Sequence, residues 1–384
     1  SAWLLKMNFT TTRPNWSDMN ESIISREKWG SVVLQLCLFC LIAVVGFVAN
    51  VLVLMAASQL CKHRTHRSTR STYYIINLAI ADLAVILVAL PTDMVTHFTS
   101  WPFGEFSCKF LYPLRDVFVF VAIMTVTGLS IERYWVITGP FKKKPNPKHA
   151  RIIIVSLWVV GYLFIGLPMV FVMKLMEETE DSPIIICDPQ WSTNMEQKVH
   201  VLLSIACIIL PACIITFCYI RIAKSLQRLQ ARRTSFVSSE GKPTTSVISL
   251  VEQSKKVAKM LVIIVLAFCC CVLPFTTFAL ATQFGANGDH NLLYALFISL
   301  FFAHSAVNPV ILIIMSKEYR IEVAKIVRAL RDICWKAEAL RTYFTHLKTQ
   351  NDYRQHRKES DNRAQPLVDA PAIDGEQQQK STEL

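Results

Sequence analysis

Residues 108–141 read CKFLYPLRDVFVFVAIMTVTGLSIERYWVITGPF. Most of this stretch is apolar, and it is longer than the roughly 20 residues that a helix needs to cross a bilayer. Glu132, Arg133 and Tyr134 stand near its end. Because charged side chains are costly inside lipid, we expect Glu132 and Arg133 at the water boundary or against a protein interior. Two interpretations fit this triplet: a salt bridge at the membrane surface, or a switch in which Glu132 holds Arg133 in one state and releases it in another.

The composition of the chain is typical of a membrane protein. Of its 384 residues, 53% are hydrophobic and only 18% are charged, whereas soluble domains carry about 25% charged residues. The net charge of +12 is gathered in short segments between apolar runs, as in membrane loops, and does not indicate the basic face of a nucleic-acid-binding domain. In lipid these runs must be helices, because every backbone polar group has to be satisfied internally. We predict one all-α bundle of seven spans, at about residues 31–58, 73–97, 106–137, 152–173, 199–222, 257–284 and 292–315.

The loops predict the orientation of the bundle. Lysines and arginines follow the first and third runs and lie between the fifth and sixth, while the opposite loops are acidic or mixed. The positive-inside rule therefore places the N-terminus outside and the C-terminus inside. Three glycan acceptor triplets, at Asn8, Asn15 and Asn20, lie on this outer side. Of 12 cysteines, only Cys108 and Cys187 fall at predicted extracellular positions, which predicts a disulfide between them in an oxidising exterior, or else two buried thiols.

Several charged residues stand inside the apolar runs. Asp82 lies deep in the second run, and an aspartate there marks either a functional site or a hydrogen-bonding hub with Asn50. Arg115 and Asp116 lie near the outer end of the third run, and Val119 shares the helix face of Arg115. These residues either line an opening toward the outside, or Arg115 forms an ion pair with a neighbouring helix while Val119 packs as an ordinary apolar residue.

The chain divides into four predicted parts. Residues 1–7 lack the layout of a cleavable signal peptide, and Met7 is a candidate native start. Cys334 lies at the end of an amphipathic run and is either palmitoylated or an unmodified cysteine. The parts are an extracellular glycosylated tail (residues 1–30), the membrane bundle (31–316), a short amphipathic helix at the cytoplasmic membrane face (317–335) and a disordered cytoplasmic tail (336–384).

Each of the seven runs contains residues that recur in one receptor family. In chain order they are Asn50, residues 77–82 (NLAIAD), Cys108 with residues 132–134, Trp158, Pro211 with Tyr219, Phe268 with Pro274, and Asn308 with Pro309. In this order and spacing the chain resembles the rhodopsin-like (class A) G-protein-coupled receptors over about residues 30–335, and most of all their neuropeptide receptors. The resemblance implies a receptor of the plasma membrane and not an enzyme. An agonist binds between the outer halves of the helices, the sixth helix swings outward, and a heterotrimeric G protein docks inside. Receptor kinases, arrestin and membrane lipids are implied as further partners.

The resemblance assigns roles to residues by position. G-protein coupling and activation are assigned to Glu132, Arg133, Tyr134, Phe141, Tyr219, Asn308 and Pro309. The packing switch between the ligand site and the G-protein side is assigned to Ile123, Pro211, Phe268 and Pro274. A sodium pocket is assigned to Asp82, Ser305 and Asn308. A sodium ion is therefore the one cofactor expected, and no catalytic residue or other metal site is predicted.

Four positions depart from the pattern of the family. Val272 stands where the family usually has a tryptophan, two residues before the proline of the sixth helix. Leu312 replaces the tyrosine of the Asn-Pro-x-x-Tyr motif. Ala122 replaces a common serine of the sodium site, and His304 stands where asparagine is frequent. These changes affect the usual aromatic trigger and the water-bridged tyrosine.

Residues at the predicted ligand site favour a peptide. Arg115 stands where amine receptors of this family place an aspartate, and a guanidinium there would repel an amine. Phe302 stands at the position of the retinal-binding lysine of opsins, and the seventh run has no lysine. The turn at residues 101–104 (WPFG) resembles that of peptide receptors, and the acidic loop before Cys187 would concentrate a basic peptide. The residues expected to bind the ligand are Asp93, His97, Arg115, Asp116, Val119, Asp188, Trp191, Phe275, Gln283 and Tyr294.

Other functions stay open or are disfavoured. Within the family, the alternative is a small anionic ligand held by Arg115, such as a lipid acid or a nucleotide. A scavenger that binds ligand without signalling is a further alternative. A transporter is not favoured, because the sequence has no internal repeat and Asp82 is nearly alone at depth. An intramembrane metalloenzyme is not favoured either, because the sequence has no His-Glu-x-x-His motif.

Overall fold

The computed structural model describes residues 26–62, 69–98, 100–139, 147–177, 185–239, 245–283 and 291–363. Six predicted site residues fall wholly or partly outside the described part. Asn8, Asn15, Asn20 and Phe141 lie outside it, as do the side chains of His97 and Gln283.

Long helices make up most of the described chain. Three of the predicted spans are each built from two α segments joined by a π-helical turn of five residues. The helices are α1 Arg26–Lys62, α2 Thr69–Ala84, α3 Leu90–Phe98, α4 Gly104–Phe106, α5 Leu114–Thr138, α6 Pro147–Gly161, α7 Leu167–Val172, α8 Asn194–Ser239, α9 Thr245–Gln283, α10 Asn291–Met315 and α11 Lys317–Arg363.

The three π turns share a position relative to proline. Each ends two residues before one: Pro91, Pro113 or Pro168. Proline lacks a backbone N–H, and its ring clashes with the carbonyl four residues earlier in a regular helix. A wider π turn before the proline relieves this clash without ending the helix. The π turns are Val85–Ala89, Ser107–Leu111 and Tyr162–Gly166.

Seven of these helical stretches coincide with the seven predicted spans. In α9 the described apolar stretch is shorter, at Val262–Phe278. The other six are long and apolar enough to cross a membrane, at Val32–Lys62, Arg70–Val95, Gly104–Thr138, Lys148–Val172, Met195–Arg228 and Leu292–Met315.

Helix α5 is central to the packing. It contacts α2, α6 and α8, while α1 contacts α2 and α10, and α10 contacts α9. One chain of side-chain hydrogen bonds crosses three helices: Trp158 Nε1 donates to Asn77 Oδ1 at 2.9 Å, and Asn77 Nδ2 donates to Thr125 Oγ1 at 2.7 Å. Asn77 and Thr125 are buried, so their polar groups cannot bond to water. These hydrogen bonds satisfy them instead.

Gly46 allows α1 to approach its neighbours closely. A Cβ atom at this position would lie 2.5 Å from Ile86 Cδ1 and 3.2 Å from Ala306 Cβ. Both distances are shorter than ordinary van der Waals contact, so a larger residue would require the end of the Ile86 side chain to move and Ala306 to shift slightly.

A two-stranded hairpin follows the fourth span. Strands β1 Met173–Glu177 and β2 Ile185–Pro189 pair antiparallel, with Leu175 opposite Cys187. The loop before Cys187 is long enough for a small hairpin, and the structure contains one. We call the end of the bundle that carries β1 and β2 the hairpin end, and the opposite end the Arg133 end.

The last helix differs from its prediction. It begins directly after Ser316, and Tyr319 and Val323 are buried in a core cluster of the bundle. The helix does not stop near residue 335 but runs to Arg363, where a disordered tail was expected. No glycine or proline interrupts residues 317–363, and these are the residues that break helices most strongly. The chain divides into two compact units between Ile326 and Val327.

Candidate functional site

A disulfide fastens the hairpin to the bundle. Cys108 and Cys187 are bonded, with Cα atoms 5.6 Å apart. Both residues are buried in a cluster that includes Tyr112 and Met173. The predicted pairing is therefore confirmed, and it places β2 at the beginning of the third span.

Trp101 holds the same strand from the other side. Its backbone N–H donates to Ile185 O at 2.7 Å, and its indole Nε1 donates to Gly104 O at 2.9 Å. Gly104 has φ +71°, a left-handed conformation that glycine adopts without steric cost. The Trp101 ring packs edge-on against Tyr112, with 5.8 Å between the ring centroids. This turn therefore orders the entrance to the third span.

Three charged residues meet just below the hairpin. Arg115 Nη1 lies 2.5 Å from Asp93 Oδ1, and Arg115 Nε lies 3.6 Å from Asp116 Oδ1. The Arg115 guanidinium also lies over the Tyr112 ring, 4.5 Å from its centroid. We call Asp93, Arg115 and Asp116 the ion cluster. Of the two interpretations that the sequence left open, the structure contains the ion pair with a neighbouring helix, and Val119 is buried in a core cluster.

Several acidic side chains lie near the hairpin. Arg115 is the only lysine or arginine among the buried residues that the structure describes, whereas Asp93, Asp188 and, nearby, Asp116 supply three carboxylates. The side chain of Asp116 is 17% exposed and that of Asp93 is 7% exposed, so Asp116 is the more accessible acid of the ion cluster. Because carboxylates raise the local concentration of cations, this region is suited to a ligand that brings a positive charge.

Two aromatic groups adjoin the ion cluster. Trp191 packs on His200 with ring centroids 5.1 Å apart, and His200 interacts electrostatically with Asp116. Phe275 contacts Tyr294 at 6.1 Å, and Tyr294 interacts electrostatically with Arg115. The structure thus brings most of the described ligand-site candidates into one neighbourhood. Sequence reasoning missed His200, because a lone histidine in an apolar run carries no signal of its partner.

A second group of polar residues lies in the middle of the bundle. Asn308 Nδ2 donates to Asp82 Oδ2 at 3.3 Å, and Asn50 Nδ2 donates to Ser305 O at 2.9 Å. Among the described residues, Asp82 Oδ1, Asn50 Oδ1 and Asn308 Oδ1 are buried without a hydrogen-bond partner. We call Asn50, Asp82, Ser305 and Asn308 the polar pocket. Its unsatisfied atoms are all oxygens, which are the ligands that hard cations prefer.

Two of the residues expected to form the packing switch, Ile123 and Phe268, share one core cluster. Both are buried there together with Val272. The Phe268 ring packs edge-on against His304, with centroids 5.4 Å apart. His304 Nδ1 contacts Phe301 O, and its Nε2 lies 3.1 Å from Ser305 Oγ. The sequence marked His304 only as a departure, but in the structure it connects Phe268 to the polar pocket.

Glu132 and Arg133 are not paired in the described structure. Glu132 is buried, and its Oε2 accepts a hydrogen bond from Ser71 Oγ at 3.0 Å. Arg133 Nε has no hydrogen-bond partner among the residues described. The hydrogen-bond partner of Glu132 is thus supplied by the second helix. The hydroxyl of Tyr219, another residue assigned to activation, lies 3.3 Å from Ser130 Oγ.

Comparison with known proteins gives a consistent result. Residues 49–312 match the family described as 7 transmembrane receptor (rhodopsin family). The chain is 30% identical to G-protein coupled receptor 54 of Oreochromis niloticus over 294 residues, which cover 71% of this chain and 72% of that protein. It is 28% identical to a QRFP-like peptide receptor of Branchiostoma floridae over 303 residues, 76% of each chain. It is 26% identical to galanin receptor 2a of Danio rerio over 302 residues, 77% of this chain and 78% of that protein.

Proposed function

Because this chain belongs to the rhodopsin family of seven-transmembrane G-protein-coupled receptors, we propose that it binds an extracellular peptide at the hairpin end and activates a heterotrimeric G protein at the Arg133 end. Members of this family are signalling receptors and not enzymes, and the chain is a multi-pass membrane protein. The observation that carries the peptide assignment is the group of three carboxylates near the hairpin, Asp93, Asp116 and Asp188, the first two of which contact the buried Arg115.

A basic group of the peptide is the ligand feature that these carboxylates favour. An arginine or lysine side chain, or a free N-terminus, would be attracted to them, and a charge-assisted hydrogen bond contributes about 1.5–3 kcal/mol. Asp116 is the first candidate, since it is the more exposed acid of the ion cluster. One similar protein is named a QRFP-like peptide receptor, which also supports a peptide.

A small anion held by Arg115 fits the geometry less well. The Arg115 side chain is 3% exposed and already pairs with Asp93. An anionic ligand would have to displace this buried carboxylate and then lie beside it, and two like charges in a site of low dielectric repel each other strongly. The anion therefore serves as the alternative outcome of the test below.

The proposal places the hairpin end outside the cell. The Cys108–Cys187 disulfide requires an oxidising compartment, and the acceptor triplets at Asn8, Asn15 and Asn20 precede the first span. The basic loops then face the cytoplasm at the plasma membrane. The G protein, receptor kinases, arrestin and membrane lipids would act on that face. Cys334 is exposed, and we propose that it is palmitoylated.

A peptide screen tests the ligand class. Cells that express the full chain are exposed to amidated and free-acid peptides with arginine or lysine residues, and calcium and cyclic AMP are measured together. For the most potent peptide, Asp116→Asn is expected to lower potency about 10- to 100-fold, because one charge-assisted hydrogen bond is lost. If only small anions activate the receptor, and Asp116→Asn leaves their potency unchanged, the peptide assignment is wrong.

Arg133→Ala serves as the control for signalling. This variant should bind the same peptide with unchanged affinity in a radioligand assay and lose the G-protein response. Arg328→Ala, which removes an exposed cation of α11, should keep both. Binding without any G-protein response in the unaltered chain would support the scavenger alternative instead.

The polar pocket is proposed to bind a sodium ion through Asp82, Ser305 and Asn308. Three buried oxygens of the pocket have no hydrogen-bond partner among the described residues, so its donor set fits a small hard cation. Such an ion would neutralise the Asp82 carboxylate while the receptor is at rest. A ligand that binds the folded state alone stabilises it by RT ln(1 + [L]/Kd).

Sodium should therefore raise the thermal stability of the purified receptor. Exchanging choline chloride for an excess of sodium chloride at constant ionic strength is expected to add about 1–2 kcal/mol. In Asp82→Asn this increment should vanish, whereas Asp332→Asn, which alters an acid that is 65% exposed, should keep it. An equal increment in both variants would refute the sodium pocket, and this thermal readout requires no agonist.

A further inference from the structure

A cavity of about 470 Å³ lies between α5, α8 and α9. Pockets that hold small molecules range over about 300–1,000 Å³. Its inner wall includes Ile123, Pro211 and Phe268, and its outer wall includes Phe217. No described residue of the ion cluster or of the polar pocket contributes to this lining, so the cavity is separate from both.

The lining of this cavity excludes charged and strongly polar ligands. All of its side chains are apolar except Thr216 and the thiols of Cys213 and Cys269. The Thr216 hydroxyl donates to Ala212 O at 2.7 Å, so its proton is already used within α8. A polar ligand would lose its hydration and gain no hydrogen-bond donor or charge in return. The chemistry therefore selects an uncharged hydrocarbon group.

The bilayer gives access to this cavity. Phe217, Ile220 and Leu273 line it and are also exposed on the surface of the bundle. They lie within the span Met195–Arg228 and the apolar stretch Val262–Phe278, where exposed side chains face lipid hydrocarbon. A molecule dissolved in the membrane therefore reaches the cavity laterally, without passing the hairpin end.

Three residues that the resemblance assigns to the packing switch, Ile123, Pro211 and Phe268, line this cavity. Phe268 and Ile123 pack together in a core cluster and face the cavity as well. Val272 also lines it, at a position where the resemblance leads one to expect the larger side chain of tryptophan. A ligand that fits one arrangement of Phe268 and Ile123 better than another shifts the equilibrium between them by its difference in affinity.

We propose that this cavity is a second ligand site, filled from the bilayer by an uncharged hydrocarbon group that biases the packing of Phe268 against Ile123. The group is either an acyl chain of a membrane phospholipid or a free apolar molecule. Both present the same chemistry to the cavity, and the test has one arm for each.

Photo-crosslinking in lipid nanodiscs tests the site on the full chain. One arm uses phosphatidylcholine with a diazirine in one acyl chain, and the other uses a free long-chain alcohol with the same diazirine. At least one probe is expected to label α8 and α9 at the cavity lining, as mapped by mass spectrometry. Cys269→Trp fills the cavity and should reduce this labelling about tenfold, since overlapping volumes cannot both be occupied.

Neighbouring Cys270 provides the matched control. Cys270 is exposed and does not line the cavity, so Cys270→Trp should leave the labelling unchanged. Ala212→Phe narrows the cavity from α8 and repeats the test if Cys269→Trp folds poorly. In the nanodiscs, labelling should also shift the agonist potency of the wild type. This shift should be absent in Cys269→Trp and in Ala212→Phe. Equal labelling of all four proteins, or labelling confined to other helices, would overturn the proposal.

Discussion

Replacing Arg115 by glutamine is expected to lower the free energy of unfolding by about 3–5 kcal/mol, because removal of one partner leaves a buried charge uncompensated. Arg115 and Asp93 are both almost fully buried, and their side chains meet at 2.5 Å between two helices. The loss would appear as a lower thermal midpoint of the solubilised receptor and as reduced expression at the cell surface. Adding Asp93→Asn to the same protein should restore most of the stability, because both charges are then gone.

An exposed ion pair on the same span is the control for this experiment. Lys109 Nζ lies 2.5 Å from Glu105 Oε1, but their side chains are 36% and 66% exposed. Lys109→Gln should cost no more than about 1 kcal/mol, since water screens such pairs. If Arg115→Gln and Lys109→Gln unfold at the same temperature, burial does not strengthen the Arg115–Asp93 pair and the charge argument for the ligand site weakens with it.

Loss of the disulfide is the second large effect expected. Cys187→Ser opens a link between residues 79 positions apart, and in the chain-entropy view a loop of this length is worth about 4.5 kcal/mol. The strand pairing of β1 with β2 and the Trp101–Ile185 hydrogen bond remain, so the hairpin itself should persist while its position over the ion cluster is lost. Peptide potency and thermal stability are therefore both expected to fall.

Serine variants of bonded and of free cysteines show whether the loss of stability comes from the broken disulfide or from replacing any cysteine. Cys108→Ser should reproduce the Cys187→Ser result, and the double variant should be no worse than either single one, since all three break the same bond. Cys61→Ser, at an exposed free cysteine, should behave as the unaltered protein. A double variant that loses clearly more stability than each single variant would show that the cysteines act separately.

Much of the fold follows from one-dimensional properties of the chain. The apolar runs predict all seven spans, since hydropathy and length alone decide whether a helix can cross a bilayer. The disulfide also followed, because only two cysteines fell on the predicted outer side. The family was assigned from single residues such as Asn50 and Trp158. The match of residues 49–312 to that family confirms the assignment.

The pairing of side chains between helices was less predictable. The sequence placed Arg115 and Asp116 near the ligand but left the partner of Arg115 open, because the rotation of each helix decides which side chains meet. It expected Glu132 to restrain Arg133, whereas the structure shows Ser71 bonded to Glu132. It also ended the last helix near residue 335, because low hydrophobicity was taken as disorder, although an uninterrupted series of helix-forming residues extends to Arg363.

The π turns before the prolines determine which faces of the helices meet. Each turn contains one residue more than regular winding allows, so every later side chain is displaced by about 100° from where a helical wheel would draw it. Asp93 lies beyond the turn at Val85–Ala89, and Arg115 lies beyond the turn at Ser107–Leu111. Their meeting therefore depends on two inserted residues. A single deletion in either turn would swing one charge toward lipid without changing a residue of the site.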